Sequence, residues 1–252
     1  MEEIAGDAVE VNTVYPPGVD EHTYEPTAKD ITNIAEADAF FYIGAGLEAL
    51  ATTTASALEN QEVELIEIGK HEELFLEGGQ HPEEHGHHED EHDDEDGHHE
   101  HHHGDLDPHL WLDPLRMIDI AAIVKDELVT LYPEEAEKFE ENLTALEEKL
   151  ITLDEEFINV MSQKENKKIL VTHAAFGYWE ERYGIEQIAI HGLSTENEPS
   201  QKDLIAIIDT AREHDLEHII FEQNVTTNVS KVIQEEIGAE ALTIHNLAVL
   251  TE

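Results

Sequence analysis

One rhythm constrains this chain more than any other feature: short β-rich runs alternate with helical patterns, pause for one long helix, and then resume. VEVNTV (9–14), AFFYI (39–43) and VELIEI (63–68) read as strands, with TAKDITNIAEA (27–37) and LEALATTTASALEN (47–60) as helices between them. Such alternation marks parallel sheets covered by helices on both faces. A helix is expected to start near Pro114 and run to about Leu131. Pro133 then opens a longer one over 133–163, because proline suits a first helical turn. Its apolar residues Phe139, Leu143, Leu146, Leu150, Leu153 and Phe157 step by alternating four and three, a narrow stripe along one flank. That stripe fits either a coiled coil or a helix spanning two lobes.

The strand signal returns in KILVT (168–172), IEQIAI (185–190), HIIFE (218–222) and EALTIH (240–245). Residues 200–214 read as a helix with Ser200 as N-cap and Asp203 closing a capping box. Residues 228–238 read as another, ending at Gly238. The expected fold class is α/β: two parallel-sheet α/β lobes joined by a long rigid helix. The expected boundaries are an N-terminal lobe over 1–115, linking helices over 116–165, and a C-terminal lobe over 166–252.

Composition narrows the partners. Sixty acidic residues face thirteen basic ones, a formal charge of −47. Such a surface repels nucleic acid and anionic lipid and attracts cations, although salty or alkaline surroundings favour the same bias. With no cysteine, disulfides and thiolate metal sites are excluded. No stretch approaches the ~20 apolar residues of a membrane helix. MEEIAGDAVEV has neither the basic start nor the apolar run of a signal peptide. The chain is therefore either cytoplasmic or the mature part of an exported protein.

Ten of the eighteen histidines crowd into residues 81–103, nine of them within HGHHEDEHDDEDGHHEHHHG (85–104). From His85 to Asp105 there is no apolar residue, so residues 80–105 are expected to form a disordered His/Asp/Glu-rich loop. The run is internal and interrupted by acids, unlike a purification tag. It reads either as a solvated loop or as a weak, multi-site collector that raises the local metal concentration.

In parallel α/β sheets ligands gather beyond the carboxyl ends of the strands. His22, in the loop PPGVDEHTYEPT, His109, in DPHLWLDP, and His173, after KILVT, all fall in such places. Imidazole nitrogen suits zinc, copper, nickel and iron better than magnesium or calcium. Three neutral histidines with a carboxylate or water form an ordinary zinc set. His71, His191, His214, His218 and His245 are assigned to ordinary solvated positions. The trio differs in having proline, glycine or aromatic neighbours, which fix a loop.

PPGVDEHTYEPTAKDI, DPHLWLDP, VTHAAFGYWEERYG and IAIHGLSTENEPSQKDL together resemble the zinc-type solute-binding proteins of bacterial ABC importers, also known as cluster A-I or the zinc/manganese receptor lipoproteins and adhesins. The resemblance spans essentially the whole chain, in order. It implies two lobes, a rigid connecting helix, and one metal in the cleft, held by His22 and His109 from the first lobe and His173 from the second. Manganese receptors commonly carry glutamate at the His173 position, so histidine there points to Zn(II) as transported ligand. The implied protein is an extracytoplasmic monomer, periplasmic or lipid-anchored at the cell surface. It delivers zinc to the membrane subunits of an ABC permease and is not an enzyme. Affinity is expected to fall as pH drops through ~6.5, where protons compete for the same nitrogens.

Two departures from the family pattern stand out. The usual fourth ligand, Asp or Glu, aligns with Ala248, which leaves water, Glu222 or Glu252 as alternatives. The family also carries a strand and part of a helix ahead of EEIAGD and a closing helix after LTE, so the chain is expected to be trimmed at both ends. The rival readings are a manganese or iron receptor, a buffer or chaperone working through the histidine run, and a zinc hydrolase with Glu180 or Glu222 as base. The last lacks HExxH, a G-x-S-x-G elbow and any Gly-rich phosphate loop.

Overall fold

The structure, a computed structural model, describes residues 1–77, 106–194, 199–223 and 228–249. The expectation of a disordered loop at 80–105, and Glu252 as a ligand, lie outside the described residues.

The first half opens with a short helix, α1 (Glu2–Ala5), followed by α2 (Ala28–Ala35), β1 (Ala39–Tyr42), α3 (Ala49–Leu58) and β2 (Glu64–Glu67). β1 and β2 pair in parallel, from Ala39 opposite Glu64 to Tyr42 opposite Glu67. α2 starts at Thr27 because its hydroxyl accepts from the Asp30 backbone (3.3 Å) while Asp30 accepts from the Thr27 backbone (2.7 Å). The expected strand at 9–14 is not one. Val9 and Val11 pack against the cluster around Ile4 and Phe139, whereas Val14 packs against Ile34, Leu58 and Val63. The alternation is satisfied by two separate apolar clusters, and no ladder partner is found among the described residues.

A two-residue antiparallel pair, β3 (Leu76–Glu77) with β4 (Leu106–Asp107), brackets residues 78–105. It returns the chain directly into the segment that carries His109. α4 (Pro114–Leu131) has the expected bounds, with Asp113 as N-cap accepting from the Leu115 backbone at 2.9 Å. α5 (Ala136–Ser162) follows. Ala121, Val124 and Leu128 of α4 pack with Phe139 and Leu143 of α5 and with Ile4 and Ala5 of α1.

The apolar stripe of α5 breaks in its second half. Leu153 is 42% exposed while Asp154 is 7% exposed. The reason lies in α6 (Gly177–Tyr183): Tyr183 donates its hydroxyl to Asp154 at 3.0 Å, and Phe157 stacks on Tyr183 at 4.9 Å between centroids. The two ends of α5 thus pack on different halves of the chain, as a spanning helix does and a coiled coil does not.

The second half holds β5 (Lys168–His173), α6, β6 (Glu186–His191), α7 (Gln201–Glu213), β7 (His218–Glu222), α8 (Asn228–Ile237) and β8 (Glu240–Ile244). Its sheet runs β6-β5-β7-β8, and every pairing is parallel. Leu170, Ile190, Ile219 and Phe221 pack with Ala211 and Ile233 on one face, and Val171 packs with Ala175, Phe176 and Leu112 on the other. Burial on both faces explains why the central strands β5 and β7 read as largely apolar runs. The Ser200–Asp203 capping box forms as expected, and Gly238, at φ +71°, follows α8 in the left-handed conformation of a C-terminal cap.

Candidate metal centre

The three histidines arrive from three different local structures. His22 sits in a tight turn where its backbone donates to Asp20 Oδ1 (2.9 Å) and the Tyr24 backbone donates to the Asp20 carbonyl (3.0 Å). Without a strand at 9–14, His22 belongs to a turn rather than a strand end. His109 follows β4 by two residues, its backbone donating to Asp107 Oδ1 at 3.0 Å. His173 is the last residue of β5, at its carboxyl end as the α/β rule predicts.

All three side chains are buried, and their Nε2 atoms converge. His109 Nε2 lies 3.4 Å from His22 Nε2 and 3.2 Å from His173 Nε2. Tetrahedral ligands on zinc, with Zn–N near 2.0–2.1 Å, stand about 3.3–3.4 Å apart. The two separations from His109 Nε2 match that ligand-to-ligand distance. Among the described residues these are the side chains that group as candidate ligands, with their ligand atoms all within 4.8 Å of one another.

Behind each ring lies a polar partner, although the contact at His173 is an ion-pair approach and not a hydrogen bond. Asp107 Oδ1 lies 2.7 Å from His109 Nδ1, Glu222 Oε1 touches His173 Nδ1, and the Leu47 backbone accepts from the His22 ring. An acceptor at the other ring nitrogen holds the hydrogen there and leaves the Nε2 lone pair bare. Imidazole lone pairs that face one another at such distances repel unless a cation lies between them. The two carboxylates behind the rings carry the charge that balances a dication. Thr172 donates its hydroxyl to Glu222 Oε1 at 3.1 Å, holding that carboxylate in place.

Burial pushes His22 down to about 3, with His109 and His173 adding to the effect. It also lowers His109, outweighing the upward pull of Asp107. The His22 ring is therefore neutral well below pH 6.5, and both shifts move proton competition to lower pH than the free-histidine value suggests. Unfolded histidine titrates near ~6.5, so the unfolded chain takes up protons that folded His22 refuses. The stability held by a neutral His22 is whole above pH ~6.5 and is lost as pH falls toward 3. We expect the melting temperature of the metal-free protein to fall between pH 6.5 and 4 less steeply in His22→Gln than in the parent; parallel slopes would contradict the burial of a neutral ring.

Several residues take roles that the sequence did not disclose. Glu222, a candidate ligand or base, stands behind His173 instead. Glu180, the other candidate base, accepts from the Gln187 backbone (2.7 Å) and side chain (3.3 Å). His191, expected to be solvated, is buried in register beside His173. Glu21 is also buried, next in sequence to His22, and accepts from Asn246 Nδ2 at 3.0 Å while its Oε2 has no hydrogen-bond partner. Burial raises its carboxyl to about 7. Ala248 donates its backbone N–H to Asn246 Oδ1 (3.2 Å) and, with Glu21, Leu47 and Trp111, lines a cavity of about 960 Å3.

The family model for the zinc-uptake complex component A, periplasmic, matches residues 1–252. The chain belongs to that family. It is 32% identical over 249 residues to the zinc-binding protein AdcA of Streptococcus pyogenes serotype M3, covering 99% of this chain and 48% of AdcA. It is 32% identical over 250 residues to the high-affinity zinc uptake system protein ZnuA of Bacillus subtilis, covering 99% of this chain and 75% of ZnuA. Among solved structures, the Zn(II)-bound ZnuA-like domain of Streptococcus pneumoniae AdcA superposes with a TM-score of 0.73 at 31% identity, covering 100% of this chain and 84% of that one. The chain spans about half the length of the streptococcal AdcA relatives it matches. Family membership agrees with the resemblance carried by the four motifs and with the α/β fold.

Proposed function

We propose that this chain is the metal-capturing part of an extracytoplasmic zinc receptor, taking Zn(II) between two lobes and passing it to the membrane subunits of an ABC permease. The observation that carries this reading is the convergence of three buried Nε2 atoms, those of His22 and His173 lying 3.4 and 3.2 Å from that of His109. His22, His109 and His173 are the proposed ligands, with water in the fourth tetrahedral position. In this reading residues 1–115 supply His22 and His109, residues 116–165 span, and residues 166–252 supply His173. The chain works as a monomer and catalyses nothing, because its ligands serve release rather than turnover. The zinc-uptake names of the relatives support the same assignment. Among the described residues no helix is long and apolar enough to cross a membrane.

Three imidazoles favour zinc over manganese, which prefers oxygen. Competition titration should therefore show zinc displacing manganese from one site per chain; equal or reversed preference would favour the manganese or iron receptor. Deleting residues 81–104 separates the receptor from the buffer reading. One tight site should survive the deletion, and loss of all tight binding would transfer the function to the histidine run. Zinc-loaded protein should not hydrolyse a chromogenic ester; chelator-sensitive turnover would revive the hydrolase.

A further inference from the structure

The second half of the chain reaches across to the carboxylate that orients His109. Asp107 is 3% exposed and its two oxygens face opposite ways. Oδ1 takes the His109 backbone (3.0 Å) and the His109 ring Nδ1 (2.7 Å). Oδ2 packs against Gly177, the first residue of α6, so closely that a Cβ there would lie 2.5 Å from it. Real side-chain carbons do not tolerate that distance, and the obstacle is a short buried carboxylate with little freedom to withdraw.

The next residue closes the arrangement. Tyr178 donates its hydroxyl to the Asp107 carbonyl at 2.6 Å and accepts from the Leu76 backbone at 3.1 Å, tying α6 to both strands of the β3–β4 pair. α6 is in turn fixed to its own sheet. The Phe176 backbone donates to Gln187 Oε1 at 3.1 Å, and Glu180 accepts from the Gln187 backbone at 2.7 Å. Gly177 is thus presented at a set position by β6, the strand that pairs with β5 and ends beside His173. Its φ is not in the left-handed region, so backbone freedom does not require glycine there. Space does.

We propose that Gly177 is a positioning residue for the metal centre: by leaving room for Asp107 Oδ2, it lets the second half of the chain set the His109 ring. The inference rests on the zinc reading above. A consequence is that His109 and His173 are linked through one continuous path of contacts, β5–β6–α6–Asp107.

Gly177→Ala should push the Asp107 carboxylate off the His109 ring and weaken zinc binding about 10–100-fold, the usual loss when an outer-shell partner is displaced. Competition against a chromogenic chelator reads the affinity, and the visible d–d bands of the cobalt-loaded protein read the geometry, which a purely structural role would leave alone. Asp107→Ala should weaken binding by a similar factor. The double variant Gly177→Ala/Asp107→Ala should bind no worse than Asp107→Ala alone and should melt at its temperature, because the clash has lost its partner. Tyr178→Phe, which inserts no atom, should shift the cobalt bands in the same direction and keeps the proposal testable if Gly177→Ala does not fold. Affinity and cobalt bands of folded Gly177→Ala that match the parent would overturn the proposal, as would strict additivity in the double variant. Failure of the parent protein to bind zinc would overturn the zinc reading itself, a result distinguishable from both.

Discussion

Replacing His173 with alanine is expected to weaken zinc binding by more than the about 10–100-fold that follows loss of an outer-shell partner, because the substitution removes a proposed ligand itself. His173 is fully buried, and its Nε2 lies 3.2 Å from that of His109. Removing it leaves two imidazoles and strands Glu222 beside an empty space, with Thr172 as its remaining hydrogen-bond partner. Calorimetric titration of zinc into the variant provides the check. Affinity within a factor of two of the parent would remove His173 from the site. The fold should survive, because the packing of β5 rests on Leu170 and Val171 rather than on the imidazole.

The second large effect is on stability. Asp113 is fully buried and joins the two halves of the chain. It caps α4 through the Leu115 backbone at 2.9 Å, and its Oδ1 meets Arg182 Nε of α6 at 2.8 Å. Arg182 also approaches Asp154 of α5 at 3.6 Å, and Trp179 donates its indole N–H to the Leu112 carbonyl at 2.9 Å. Asp113→Ala removes a helix cap, worth about 1 kcal/mol, and leaves a largely buried guanidinium short of its closest partner. Breaking such a pair costs roughly 3–5 kcal/mol where both groups are fully buried. Arg182 is 24% exposed and keeps Asp154, which moderates the loss. We expect a net destabilisation of about 3 kcal/mol in urea unfolding. A change below about 0.5 kcal/mol, the range of ordinary surface substitutions, would show that the network does not join the halves.

The two predictions depend on parts of the molecule that were unequally legible in the sequence. The central strands β5 and β7 were plain because burial on both faces makes them largely apolar runs, and α4 was plain because Asp113 and Pro114 mark its start. The strand expected at 9–14 failed because alternation records burial without recording whether a ladder partner is present. Here Val9 and Val11 serve one apolar cluster and Val14 another. α6 escaped notice because it is seven residues long and its aromatic residues answer to neighbours distant in sequence: Tyr178 to Asp107 and Leu76, and Tyr183 to Asp154.

The ligand candidates were legible from loop chemistry and strand ends. The residues behind them were not. Asp107 is two residues before His109, and DPH contains the signal in retrospect. Nothing local ties Glu222 to His173 forty-nine residues earlier, because their contact exists only through the β5–β7 pairing. Gly177 is harder still, since its reason is an absent atom. The histidine-rich run, conspicuous as it is, contributes none of the three converging nitrogens.

The most direct test is anomalous diffraction at the zinc edge from crystals of the protein loaded with one equivalent of zinc. The account predicts one dominant peak among the Nε2 atoms of His22, His109 and His173, about 2.0–2.1 Å from each. A dominant peak elsewhere, or a zinc ion there held by fewer than three of these rings, would contradict it.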